Sequence, residues 1–155
     1  MSKPRIRATD VGQERYELYK SAFAWIKKAI DEGYYVEAIS IVESLISDRL
    51  ESHLSLLLDD DFGFKNLGEL IQSFRSKKDR DKLNETDEGK ALSDLILKEL
   101  DQWRKDRNTA AHEMVKIEDG ISVSWEERMK INKIVAETGL KLVREIDSHI
   151  RKIRP

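Results

Sequence analysis

Cysteine is absent from all 155 residues, so disulfides and thiol catalysis are excluded, and a reducing compartment fits. Proline occurs only twice and glycine seven times, which leaves long stretches free of helix breakers. A charge excess is missing too. The 28 basic and 30 acidic side chains leave a net charge of −2, which argues against a protein that coats nucleic acid by bulk charge. That balance still allows a local basic cleft. The longest apolar run, "LSLLL", is far too short to span a membrane. The opening "MSKPRIRATD" has no apolar core of the kind a signal peptide needs, so the protein is expected to be cytoplasmic. No cysteine–histidine cluster, glycine-rich phosphate loop or HExxH is present, which removes zinc, nucleotide and metalloprotease readings. The expectation is a protein without cofactor or metal.

What the sequence does hold is charge in both signs and helical periodicity. Charged residues make up 37% and hydrophobic ones 39%, as expected for a single, rather polar domain over 1–155. Strand-like alternation is almost missing. A first helix is expected from Thr9 or Asp10 to Glu32, stopped by Gly33, with Tyr16, Tyr19, Phe23, Ile26 and Ile30 inward. A second spans 34–59, and a short third lies around "LGELIQSF". The polar stretch 75–87 reads as a loop. A fourth helix starts near Thr86, and 115–124 reads as a loop or small hairpin turning at Asp119-Gly120. Ser124 and Glu127 form a capping box for a last helix with Ile131, Val135, Thr138, Leu142, Ile146 and Ile153 on one side. Four long helices and a short one make an all-α bundle.

Two charges interrupt apolar stripes. In the fourth helix, Leu92, Ile96, Leu100, Trp103, Arg107, Ala110 and Met114 share one face at 100° per residue, so Arg107 stands within it. His112 then points about 140° away from Arg107 on a straight helix. Either the helix bends between them or two chains compose the site. In the second helix, Glu43 lies within the stripe of Ile39, Val42, Ile46, Leu50, Leu54 and Leu57. A buried carboxylate is costly unless paired, which suggests a Glu43–Arg107 ion pair. The plainer reading is a snorkelling Arg107 with a solvated His112, and a Glu43 that is an edge residue or a purely structural partner.

The chemistry of these types is specific. Arginine grips phosphate oxygens with parallel hydrogen bonds, and histidine moves protons near neutral pH. Asparagine can orient either. The set suits cleavage of an RNA phosphodiester by its own 2′-hydroxyl. "RNTAAH", Arg107-Asn108-Thr109-Ala110-Ala111-His112, resembles the Arg-x(4–6)-His signature of the HEPN superfamily, in the form with Asn after Arg. The all-α layout and the second helix "GYYVEAISIVESLISDRLE", with its acid inside an apolar stripe, are also similar to that family.

The resemblance implies a metal-independent endoribonuclease of toxin or defence type, acting on RNA as a homodimer with two motifs meeting in one cleft. It implies that Arg107 binds the scissile phosphate, that His112 transfers protons, and that Asn108 and Glu43 support them. A nucleotidyltransferase-type antitoxin is an implied partner. The dimer interface is expected at or near Trp103, Arg107 and Ala110. The family also contains inactive interaction modules, so a non-catalytic helical dimer is the competing reading. His53 and His149 read as structural, and "DDD" at 59–61 as a solvated helix end. The basic runs at 75–82 and 151–155 read as surface that could touch RNA.

Overall fold

The computed structural model describes residues 11–63, 65–112, 114–117 and 120–153, with the side chain of His112 excepted. Thr9, Asp10, Asp119 and the last two residues of the 151–155 run lie outside these. The order is α1 (Val11–Glu32), α2 (Tyr35–Leu58), α3 (Leu67–Arg75), α4 (Arg80–Leu83) and α5 (Asp87–Leu95). A π-helical turn (Ile96–Leu100), α6 (Asp101–His112) and α7 (Trp125–Ile153) complete it. No strand occurs among the described residues, and the fold is an all-α bundle.

Local chemistry sets the boundaries. Gly33 takes φ +85°, a left-handed turn that ends α1, and Asp59 at φ +50° ends α2. The Asn66, Thr86 and Ser124 side chains accept hydrogen bonds from Glu69, Gly89 and Glu127 N–H, capping α3, α5 and α7. The DDD run is solvent-exposed, with Asp61 accepting from Gly63 N–H, as expected of a helix end.

One apolar core joins the helices. Ile39, Val42, Ile46, Leu50 and Leu54 of α2 are buried, with Ile146 and Ile150 of α7, Leu92, Ile96 and Leu100, and Leu70 and Ile71 of α3. Polar ties reinforce it. Arg49 of α2 meets Asp147 of α7 at 2.7 Å, and His149 Nδ1 lies 2.9 Å from Glu88 Oε2. That hydrogen bond from His149 holds the Glu88 carboxyl below the usual carboxylate range. His53 is buried within α2, so both histidines are parts of the packing.

Four sequence expectations need correction. Stretch 75–87 contains the turn of helix α4, because Leu83 is drawn into the core. Tyr16 is exposed, because at that level α1 turns Arg15 and Tyr19 toward α2, where both meet Asp48. On α7 the buried line is Asn132, Val135, Ala136, Gly139, Leu142, Val143, Ile146 and Ile150. Ile131 and Thr138 face solvent there, while the buried side carries the small residues Ala136 and Gly139, the latter packed against Trp103 of α6. Finally, the fourth helix is not regular. Its π turn, in which Asp101 N–H reaches back to Ile96 O, takes up one extra residue and turns α6 relative to α5. Both flanks then find neighbours: Leu92, Ile96 and Leu100 enter the core, and Trp103 faces α7. Residues 115–117 and 120–123 lie in no helix or strand, and Ile121 makes only an isolated bridge.

Candidate functional site

α6 carries the motif, and Trp103 anchors α6. Its indole Nε1–H donates to Val135 O of α7 at 2.9 Å. A Cβ added at Gly139 would stand 2.8 Å from the Trp103 ring, so glycine is what allows the two helices to approach so closely. The first turn of α6 is held by charge. Buried Asp101 accepts from Arg75 of α3 at 2.6 Å and from Arg104 at 3.2 Å. The Arg75 hydrogen bond is the main reason that the Asp101 carboxyl titrates below the usual range.

One turn further, Arg107 Nη2 lies 3.0 Å from Glu43 Oε1 on α2, joining the two charges that interrupt the apolar stripes. The side chains are 15% and 29% exposed, so the pair sits at the edge of the core and not within it. Arg107 Nε is buried without a hydrogen-bond partner. Glu43 thus fixes the guanidinium through one terminal nitrogen and leaves other N–H groups unspent. Asn108, next in line, is half-buried.

His112 is the last residue of α6, and its side chain lies outside the described residues. The helix is unbroken from Asp101 to His112, so no bend within the motif brings Arg107 and His112 together. The only irregularity, the π turn, lies before Arg107. The expected interface residues Trp103 and Ala110 are buried in the chain's own core, because α7 covers that side of α6. They are not available to a second molecule.

Two residues of α7 that sequence reasoning missed hold the chain just beyond the motif. Arg128 Nε donates to Val123 O at 3.0 Å and its Nη2 to Lys116 O at 2.7 Å, tying Lys116 and Val123 to the first turn of α7. One turn on, buried Asn132 donates from Nδ2 to Met114 Sδ at 2.8 Å and to Arg128 O at 3.0 Å. The signal for Asn132 was an amide at a buried position of α7. The signal for Arg128 was absent, because its partners are backbone carbonyls, which any sequence offers.

Two open clefts of about 500 and 490 Å³ lie along α1 and α2, and neither is lined by a motif residue. Among the described residues no group of three His, Cys, Asp or Glu could hold a metal ion. No described helix is long and apolar enough to cross a membrane. No family model, curated protein or solved structure matches this chain.

Proposed function

We propose that this protein is a metal-independent endoribonuclease whose site joins Arg107 and His112 from two copies of the chain. The observation that carries the reading is the Glu43–Arg107 pair. It holds a permanent cation at a fixed place on the edge of the core, as phosphate recognition requires. The unbroken helix supports the two-chain site, since one α6 does not fold back to close a small active centre. The resemblance of "RNTAAH" to the HEPN signature supplies the reaction class.

In that reaction the RNA 2′-oxygen attacks the adjacent phosphorus and the bond to the 5′-oxygen breaks. The 2′-hydroxyl gives up a proton and the leaving oxygen gains one, so a neutral imidazole of His112 can take the first and return it. Arg107 bears the charge that grows on the phosphoryl oxygens, and Asn108 orients the pair. The products are a 2′,3′-cyclic phosphate and a 5′-hydroxyl.

The test is RNA incubated with purified protein in EDTA, beside the His112→Ala form. Cleavage by the parent alone is expected, with activity changing near neutral pH. Replacing one 2′-hydroxyl at a mapped cut site with hydrogen should stop cleavage there. Continued cutting at that bond would overturn the mechanism. A non-catalytic interaction module is the second reading, favoured by the exposed apolar residues that follow the motif. Equal recovery of the parent and His112→Ala proteins from an expressing cell would favour it.

A further inference from the structure

Asp101, at the start of α6, is buried, and three cations from two helices converge on it. Arg75 of α3 donates from Nη2 to Oδ2 at 2.6 Å, and Arg104 reaches Oδ1 from Nε at 3.4 Å and from Nη2 at 3.2 Å. Lys105 Nζ stands 3.8 Å from Oδ2. A buried carboxylate needs a partner, and the two arginines already satisfy both of its oxygens. The third cation is surplus. Among the described residues no second carboxylate pairs with any of the three, so the cluster keeps a local charge of +2. Asp106, the other acid of α6, lies about 200° round the helix from Arg104 and accepts from Gln102 at 3.0 Å. Like charges held this close repel one another, and an anion on their outer side relieves the repulsion. That side is open. The Asp101 side chain is 8% exposed, while those of Arg75, Arg104 and Lys105 are 40%, 26% and 60% exposed. Arg75 Nε and Nη1, and Arg104 Nη1, make no hydrogen bond among the described residues.

We infer that this cluster is a second phosphate site, holding a backbone phosphate that flanks the scissile one in a single RNA strand. Arg104 stands one turn before Arg107, so their side chains are neighbours on one side of α6. From Asp101 to Arg107 is about 9 Å along the helix axis, which a strand covers in two or three nucleotides at roughly 3.4 Å of rise each. Guanidinium N–H groups match phosphate oxygens in geometry and charge, and Arg75 and Arg104 both keep such groups unspent. Asp101 is the positioning residue. It gathers the three cationic heads before RNA arrives, so binding has less side-chain freedom to remove. The inference rests on the proposed function for the place of the scissile phosphate at Arg107. The surplus charge is read from Asp101 and its partners alone.

Fluorescence anisotropy of a short labelled RNA across a salt series tests it, in a His112→Ala chain so that the RNA stays whole. Arg75→Gln and Lys105→Gln are combined, the first keeping a donor for Asp101 while removing the charge. The double Gln chain should bind about fivefold more weakly or worse, with a log–log salt slope shallower by about 0.7 for the phosphate released. Cleavage, with His112 restored, supplies the control. A dinucleoside monophosphate carries only the scissile phosphate, so the parent and the double Gln chain should cut it alike. On longer RNA the double Gln chain should show a raised KM at unchanged kcat. No RNA binding by the His112→Ala chain, unchanged affinity or slope in the double Gln chain, or slower cutting of the dinucleoside overturns the site. Polyglutamate that displaces the labelled RNA as well as unlabelled RNA does overturns the assignment to phosphate. Weaker binding by the double Gln chain, with no cleavage by the parent, leaves the phosphate site standing and removes the nuclease reading. Should the Arg75 change unsettle the fold by circular dichroism, Lys105→Glu alone, on an exposed side chain, decides by the same readouts.

Discussion

At Arg107 the competing forces are a cation's preference for water and the geometry of a helix that points it inward. Glu43 resolves the conflict by supplying an acceptor at 3.0 Å from a different helix. Because both groups keep some exposure, the pair is worth less than a fully buried one. Arg107→Ala should lower stability by about 1–3 kcal/mol, between the values for exposed and buried pairs. On the proposed function it should also abolish RNA cleavage. Thermal melts of Arg107→Ala and Glu43→Gln check this, and melting of both like the parent would show that the pair carries no stability. Asp101 supplies a second test. Its carboxyl titrates lower in the folded chain than in the unfolded one, with Arg75 as the main cause. Its stabilisation is therefore present above the ordinary carboxylate range and is lost as pH falls through the folded value. Urea melts across the acid range should show the parent losing stability more steeply than Asp101→Asn.

At the level of helices, the question is what aims α6. The π turn re-registers it against α5, Trp103 fixes it on α7, and Asp101 fixes it on α3 through Arg75. The tightest of these contacts has no slack. Gly139→Ala would place a methyl 2.8 Å from the indole, and neither the ring, which is bonded to Val135 O, nor the backbone of α7 yields easily. A loss of about 1–3 kcal/mol is expected from overpacking, with a change in indole near-ultraviolet circular dichroism. A parental melting curve would show that the two helices separate at little cost. The same features mark what was hard to read from residues alone. Leu92, Ile96, Leu100 and Trp103 fit a straight-helix stripe so well that nothing in their spacing announced the π turn, which is decided by what packs on each side.

For the whole molecule, a single cluster of apolar residues runs from Ile26 through α2, α3 and α5 to Ile150, with the ties Arg49–Asp147 and His149–Glu88 across it. One connected core without an internal boundary predicts one cooperative transition. Unfolding followed by helical circular dichroism and by tryptophan fluorescence should coincide. Separate midpoints would mean that α1, whose N-terminal turns carry exposed Tyr16 and Leu18, melts on its own.

The residues by themselves determined the helical class, most helix ends and the meeting of Glu43 with Arg107. Periodicity and caps are local, and an unpaired charge in an apolar stripe leaves few partners to choose from. Only the tertiary structure decided that Trp103 and Ala110 belong to the chain's own core, that Leu83 is buried at the end of a turn of helix, and that Val115, Ile117, Ile121 and Val123 stay exposed. Those outcomes depend on which helix covers which face. Gly139 settles part of that by leaving room for Trp103, and the room a small residue leaves is visible only once its neighbour is in place.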